Sequence, residues 1–234
     1  MTKQLALEAQ VEALAWLKRH SSKSTRDGMA RFAIPSDHAL GVSVSNIRVL
    51  GKKLGPHHAL AVALWKTGVY EARLLASFVE EPARVTSAQM DRWCREFDNW
   101  AVCDTLCFHL FDRTPYAWEK IAQRRKVPGE FQKRAGFALL WAMTVHDKQA
   151  KDAPFQKGLG YIEEAATDGR HFVKKAVNMA LRATGKRNHA LNQAAVKVAR
   201  RLARSSDATS RWVGKDALRE LTSAAVARRL APRS

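Results

Sequence analysis

The sequence predicts an all-α fold built from successive helix pairs. Apolar residues recur at helical spacing along most of the 234 residues, and Ser, Thr, Asn, Gly and Pro stand where helices would begin or end. No hairpin turn separates two alternating runs, and the β-branched residues are scattered. We therefore expect helices joined by short loops, and no strand.

In the first half of the chain each predicted helix has a start or stop signal. A helical period over residues 3–19 predicts an amphipathic first helix, which the run SSKSTRDG closes with capping and turn residues. Ser45 is a candidate N-cap for a helix that begins at Asn46 and ends near Gly51 or Gly55. The next predicted helices are HHALAVALWKTG with Pro56 in its first turn, VYEARLLASFVEEP ended by Pro82, and TSAQMDRWCREF after a Thr or Ser cap.

The second half repeats this arrangement in longer units. Thr114 is the predicted N-cap of TPYAWEKIAQRRK, with Pro115 at the first helical position. The later predicted helices are VPGEFQKRAGFALLWAMTVHDK, PFQKGLGYIEEAATDG, RHFVKKAVNMALRATGKRN, HALNQAAVKVARRLARSSD and SRWVGKDALRELTSAAVARRL. Helix pairs at intervals of roughly 35 to 45 residues are typical of a HEAT-like repeat solenoid, with an irregular bundle as the alternative. We expect residues 1–234 to form a single domain.

The charge is strongly basic and unevenly distributed. The chain has 40 Lys and Arg against 22 Asp and Glu, a net charge of +18. Residues 170–234 hold 16 basic and three acidic side chains, so this part contributes +13. A field of that sign and size predicts a polyanionic partner and a basic groove along a phosphate backbone, whereas a ribosomal or merely cationic protein is the alternative.

The cysteines and the apolar runs indicate a cytoplasmic protein. Cys94, Cys103 and Cys107 are an odd, clustered set without a disulfide framework, which favours a reducing compartment. His109 lies near two of them, but no second pair completes a four-ligand site, so we predict neither a metal nor a cofactor. No signal peptide and no run long enough to span a bilayer are visible.

The stretch EFDNWAVCDTLCFHLFDRTPYAW, residues 96–118, holds the strongest candidate site. In a helix, Trp100 and Asp104 would lie one above the other on one face. An indole face beside a carboxylate suits a cationic, sugar-like centre. A Trp packed between helices beside a solvated Asp is the alternative for such a pair taken alone.

Several local patterns in order resemble the AlkC and AlkD family of bacterial DNA alkylation repair glycosylases, which are HEAT-like proteins of about this length. The matching pieces are MARF with LGVSVSNIR, LWKTGVYEARLLA, DNWAVCDTL, FQKRAGFALL and FVKKAVNMALR. The resemblance implies that Trp100 and Asp104 flank the deoxyribose of a lesion and that Arg134 contacts the DNA backbone. It also places Phe32 where the family has a Tyr, and Met179 where it has a second sugar-facing Trp.

The implied reaction is hydrolysis of the N-glycosidic bond of a cationic N3- or N7-alkylated purine in double-stranded DNA. The positively charged base leaves readily, so Asp104 would stabilise oxocarbenium character at the sugar and orient water, while Trp100 holds the deoxyribose. Arg134 would clamp a phosphate. The family's relatives work with the lesion still stacked, which implies a shallow concave groove on which these residues converge.

Further basic residues are candidates for phosphate contacts. They are Lys133 beside Arg134, Lys174, Lys175 and Arg182 in one predicted helix, and Lys215 in the last one. A solvated charged face is the alternative for each of them. Three functional classes stay open: a glycosylase, which acts as a monomer on duplex DNA at the nucleoid, a non-catalytic binder of damaged or branched DNA, and a protein–protein scaffold.

Overall fold

A computed structural model describes residues 3–231 of the chain, and within that range every regular element is a helix. These residues divide into two compact units, residues 1–115 and 116–234. The prediction of an all-α protein without strands is therefore confirmed for the part of the chain that the structure describes. The prediction of a single domain stays a prediction.

The first unit contains seven α-helices and three short 3₁₀ turns within its described residues. The helices are α1 (Lys3–Arg19), α2 (Lys23–Gly28), α3 (Val44–Leu54), α4 (His58–Lys66), α5 (Tyr70–Val79), α6 (Ser87–Arg95) and α7 (Trp100–His109). The 3₁₀ turns are Met29–Phe32, Pro82–Arg84 and Phe111–Arg113. Helices α3, α5 and α7 pack side by side, with α4 against α5, and the buried Leu74, Leu75 and Leu106 contribute to the core of this unit.

The second unit also contains seven helices within its described residues. They are α8 (Ala117–Arg124), α9 (Glu130–His146), α10 (Asp152–Ala165), α11 (His171–Gly185), α12 (His189–Ala203), α13 (Ala208–Leu221) and α14 (Ala224–Leu230). Helix α11 packs between α9 and α13, while α10 packs against α12. Alternate helices thus form two layers, the arrangement of stacked helix pairs.

The structure corrects several predicted helix boundaries. Helix α3 begins at Val44, because the side chain of Ser43, and not that of Ser45, accepts the backbone N–H of Asn46. The predicted cap at Thr114 is wrong: its hydroxyl donates to the carbonyl of Phe111, and α8 begins only at Ala117. In the first case a neighbouring residue of the same chemical type takes the role, whereas the N-cap of α8 is Tyr116, whose side chain makes no capping hydrogen bond.

Two other segments also differ from the prediction. SSKSTRDG is a short helix of its own, α2, which Ser22 caps. The last predicted helix is divided in two, because the Ser223 side chain accepts from the N–H of Val226 and starts α14. Pro56 precedes α4, whose N-cap is His57. The predicted first helix, by contrast, is confirmed over Lys3–Arg19.

Candidate nucleic-acid interface

Helix α7 places Trp100 and Asp104 one turn apart, as the spacing predicted. The helix begins at Trp100 because the buried Asn99 caps it, its side-chain oxygen accepting the N–H of Val102 at 2.9 Å. Both Trp100 and Asp104 are partly exposed, whereas Val102, Cys103 and Leu106 of the same helix are buried in the core. The indole and the carboxylate therefore share the part of α7 that solvent reaches.

Phe32 lies next to Trp100 although 68 residues separate them. The indole N–H of Trp100 donates to the Phe32 carbonyl at 2.7 Å. Trp100 also packs against a small apolar cluster formed by Met29, Ile34 and Ala39, at and just after the 3₁₀ turn Met29–Phe32. The ring of Phe32 is 63% exposed. Phe32, Trp100 and Asp104 thus form one patch of the first unit, in which the Phe32 backbone contacts the indole and Asp104 lies one turn further along α7.

A buried carboxylate holds the loop that follows Phe32. Glu71, fully buried in α5, accepts the backbone N–H groups of Leu40, Gly41 and Val42 at 2.9, 2.7 and 3.2 Å. Gly41 has a φ of +84°, and a Cβ there would lie 2.2 Å from the carbonyl oxygen of Ser22. Only glycine allows this close approach. The loop, and Phe32 with it, is therefore fixed against α5 and α7.

Tyr70 supports the same patch from α5. Its ring packs against the cluster around Met29, and its backbone N–H donates to the carbonyl of His38 at 2.9 Å. Burial, reinforced by the negative charges of Glu71 and Asp98, raises the pKa of Tyr70 to about 12. The phenol is therefore neutral at physiological pH and contributes apolar surface to the patch.

A cavity of about 100 Å³ near the start of α7 is lined by Asn99 and Val102, but not by Trp100 or Asp104. Such a volume is too small for a purine base, because ligand pockets usually enclose about 300 to 1,000 Å³. This cavity therefore has no room for an extruded base.

The two basic residues of FQKRAGFALL are engaged within the second unit. Arg134 is 4% exposed, and its guanidinium donates to the carbonyl of Phe172 at 2.9 Å. Lys133 lies 2.9 Å from a carboxylate oxygen of Asp168, which also binds Arg170. Hydrogen bonding from Arg170, and then from Lys133, holds the pKa of Asp168 well below its usual range. The predicted phosphate contacts of Lys133 and Arg134 stay predictions.

Arg182 belongs to an ion-pair network between α11 and α13. Its guanidinium contacts Glu220 and lies 3.7 Å from Asp216, while Lys186 lies 2.6 Å from Glu220. Burial acts to raise the pKa of Glu220, but the hydrogen bonds from Lys186 and Arg182 outweigh it and lower that pKa. This network neutralises part of the charge that Arg182 would offer to DNA.

Lys174 and Lys175 have a different environment, which the sequence reasoning missed. Their ammonium groups lie 4.9 and 5.2 Å from the ring centroid of Trp212, and neither lysine forms an ion pair with a carboxylate of residues 3–231. Lys215 is exposed one turn further along α13, and Met179 is partly exposed one turn beyond Lys175 on α11. A Trp inside the basic segment SRWVGK was the signal that could have drawn attention to Trp212.

The charge differs sharply between the two units. Residues 1–115 hold 15 Lys and Arg against 12 Asp and Glu, whereas residues 116–234 hold 25 against 10. The unit with the Trp100 and Asp104 patch is therefore nearly neutral, and the second unit has most of the positive field. Trp100 and Asp104 belong to one unit and Arg134 to the other, and their convergence in a concave groove stays a prediction.

The cysteine cluster offers no ligands at the surface. Cys94, Cys103 and Cys107 form no disulfide and are buried, and burial raises the pKa of the Cys107 thiol well above its ordinary value. His109 accepts from Arg48, whose Nη2 lies 2.9 Å from its Nε2. Within residues 3–231 no three His, Cys, Asp or Glu side chains are grouped to hold a metal ion, and no helix has the length and apolarity to cross a membrane.

Comparison with known proteins identifies a family and a fold. The family model described as DNA alkylation repair enzyme matches residues 13–221. A solved structure, described as representing a new family of proteins related to the HEAT-like repeat DNA glycosylases with affinity for branched DNA structures, is similar with a TM-score of 0.73. It is 17% identical, over 88% of this chain and 92% of that one, so the likeness shows a HEAT-like fold and confirms that prediction. No curated protein matches the chain.

Proposed function

Because the chain belongs to the DNA alkylation repair enzyme family, as its match over residues 13–221 shows, we propose that it removes cationic alkylated purines from double-stranded DNA. The bond broken is the N-glycosidic bond of an N3- or N7-alkylated purine. The observation that carries the proposal is the shared exposed part of α7, which holds an indole and a carboxylate one turn apart.

The proposed chemistry follows from where charge develops. An alkylated purine is already positively charged, so it departs with its bonding electrons as a neutral base, and oxocarbenium character builds on the deoxyribose. Asp104 stabilises this charge and orients the water that attacks the anomeric carbon. The faces of Trp100 and Phe32 hold the sugar beside it, since aromatic faces attract positive charge. The water's proton passes to solvent or to Asp104.

DNA binding in this proposal rests on the second unit. Its excess of positive charge attracts the phosphate backbone without sequence preference, because no element typical of major-groove recognition is visible. Lys174, Lys175 and Lys215 are the candidate phosphate ligands that have no ion pair within residues 3–231. Arg182 and Lys133 contribute only if their carboxylate partners release them, and Arg134 only if its bond to Phe172 opens. We place the protein as a monomer in the cytoplasm, at the nucleoid when bound.

A second candidate is a DNA-binding protein without glycosylase activity. Two departures favour it: Phe32 has no hydroxyl, and the thioether of Met179 offers no extended π-face. The similar solved structure is described as having affinity for branched DNA structures. This alternative keeps the basic second unit in its role and gives α7 no chemistry.

One assay separates the two candidates. Duplex DNA treated with a methylating agent is incubated with the protein, and free 7-methylguanine and 3-methyladenine are measured by chromatography. We expect the wild-type protein to release both bases. The Asp104→Ala variant should release each of them more slowly. Absence of release at saturating protein, with DNA binding intact, would establish the non-catalytic binder instead.

A further inference from the structure

Trp212 is the most exposed of the seven tryptophans of the chain, at 37%. It stands on α13, two residues after the buried Ser210 and directly before the buried Val213. Packing therefore fixes the helix that presents the indole while leaving part of the indole in solvent. An indole held in this way offers part of its flat face to a ligand.

Cations surround this ring. The ammonium groups of Lys174 and Lys175, consecutive residues of α11, lie 4.9 and 5.2 Å from its centroid. Lys215 follows three residues later on α13, a spacing that puts it on the neighbouring turn of the same face. None of the three lysines has an ion pair with a carboxylate of residues 3–231, so each keeps its charge available to an anion.

The seam between α11 and α13 changes character along its length. Towards the ends of the two helices, Asp216 and Glu220 neutralise Arg182 and Lys186. Towards their beginnings, Asn178 ties the helices through the carbonyl of Val213, and Lys174 and Lys175 lie over the indole of Trp212. The same pair of helices thus supplies both a closed ionic contact and an open cationic, aromatic surface.

A nucleotide matches this surface in both of its parts. A base has a π-face that stacks on an indole, and the phosphates on either side of it attract ammonium groups. Bases inside a duplex are stacked on both faces by their neighbours, so only an unpaired base can reach the ring. The lysines cover the ring in the absence of DNA, but such a contact at an exposed site is weak and gives way to a phosphate.

We propose that Trp212 stacks on an unpaired base of DNA, at a bulge, gap or branch point, while Lys174 and Lys175 bind the phosphates beside that base. The proposal rests on the proposed function only in taking DNA as the ligand. It adds a second element of recognition, an unpaired nucleotide, which duplex binding through phosphates does not require.

The experiment compares two DNA ligands of equal length, a fully paired duplex and the same duplex with a single unpaired adenine. Wild-type protein should bind the second more tightly, and Trp212→Ala should lose about tenfold or more of its affinity for it, because a base stacked on an aromatic ring contributes on that scale. Binding of the fully paired duplex should change by less than about twofold, since phosphate contacts dominate there. A fluorescent 2-aminopurine at the unpaired position should be quenched by wild-type protein and not by Trp212→Ala.

Matched variants separate stacking from folding and from charge. Trp212→Leu keeps an apolar cover on α13 but no π-face, so it should behave like Trp212→Ala, whereas Trp212→Phe should retain most of the preference. The salt slope is the change in the logarithm of the binding constant per unit change in the logarithm of the salt concentration. Lys174→Gln with Lys175→Gln should reduce it by about 1.4 to 1.8, and the exposed pair Lys157→Gln with Lys197→Gln should reduce it less. Equal weakening of both DNA ligands by Trp212→Ala, or full preference in Trp212→Leu, would overturn the proposal.

Failure of this inference is distinguishable from failure of the proposed function. If the protein releases methylated bases but Trp212→Ala does not weaken binding of the duplex with the unpaired adenine, the stacking site is rejected and the glycosylase function stands. Selective loss of binding without any base release supports the stacking site in a non-catalytic DNA binder. If free dAMP competed for binding as well as the oligonucleotide does, the proposed site would also be rejected, because the phosphates beside the unpaired base would then contribute nothing.

Discussion

Replacing Asp104 by Asn is the sharpest test of the chemistry assigned to α7. The change keeps the size of the side chain and removes one negative charge from a partly exposed position. Its effect can be estimated from that exposure. Two unit charges about 4 Å apart interact by about 1 kcal/mol in water and about 4 kcal/mol near a protein surface, and a partly exposed carboxylate lies between these limits.

A developing charge is less than a full unit, and an amide retains a dipole that offsets part of the loss. We therefore expect a cost of about 2 to 3 kcal/mol of transition-state stabilisation, which corresponds to a rate lower by about 30- to 150-fold. Affinity for undamaged duplex should stay the same or rise slightly, because removal of an acidic group eases the approach of phosphates. The measurement is single-turnover release of 7-methylguanine at saturating protein, together with binding to unmodified duplex.

A matched control is Asp37→Asn, which removes the same charge from an exposed residue of the same unit. It should change the excision rate by less than about threefold, since an exposed charge is largely screened. An unchanged rate in Asp104→Asn would refute the role of the carboxylate even in a protein that releases methylated bases. An equal loss in both variants would assign the effect to the overall field of the first unit.

Three further predictions follow from the same structure. Raising the salt concentration from about 50 to about 200 mM should weaken duplex binding by a factor on the order of a hundred or more in a filter or anisotropy assay, and a salt-insensitive affinity would favour a protein–protein scaffold. If the missing indole limits turnover, Met179→Trp should raise excision of cationic adducts without tightening the binding of intact duplex. Unchanged excision would show that Met179 does not limit turnover. Asp168→Asn should lower the free energy of unfolding by about 1 to 2 kcal/mol at neutral pH, measured by urea denaturation. Because Arg170 and Lys133 hold the pKa of Asp168 below its ordinary value of 3.8, this contribution is fully present above that value and is lost as pH falls below it towards the lowered pKa. A difference between wild type and variant that does not shrink as pH falls below 3.8 would contradict the ion-pair account.

The sequence predicted the helices well because each is encoded locally. Apolar spacing over residues 3–19 and the Thr cap before α6 are properties of a few neighbouring residues, and both are confirmed. The errors also have local causes. Ser43 and Ser45 are chemically equivalent caps two residues apart, and only packing of Ile47 and Leu50 into the core selects the first of them.

The α7 site was predictable in part. Spacing alone placed Trp100 and Asp104 on one helical face, since a separation of four residues returns to that face in any α-helix. The contact of Trp100 with Phe32 was not predictable from the residues themselves. It depends on Glu71 and Gly41, which hold the intervening loop across 30 residues of chain, and no local pattern encodes such a hydrogen bond.

Counting charges in the sequence does not reveal which basic residues are available to bind phosphate. By sequence, Arg182 and Lys175 are equivalent, seven residues apart on one helix. In the fold, Arg182 meets Glu220 of α13, whereas Lys175 meets Trp212 of the same helix. A cation that already has a carboxylate partner must break that contact to bind phosphate, and a cation over an exposed ring gives up much less. The side chains on the facing helix therefore decide which positive charges are available to DNA, and those of Lys174 and Lys175, which lie over Trp212, are among them.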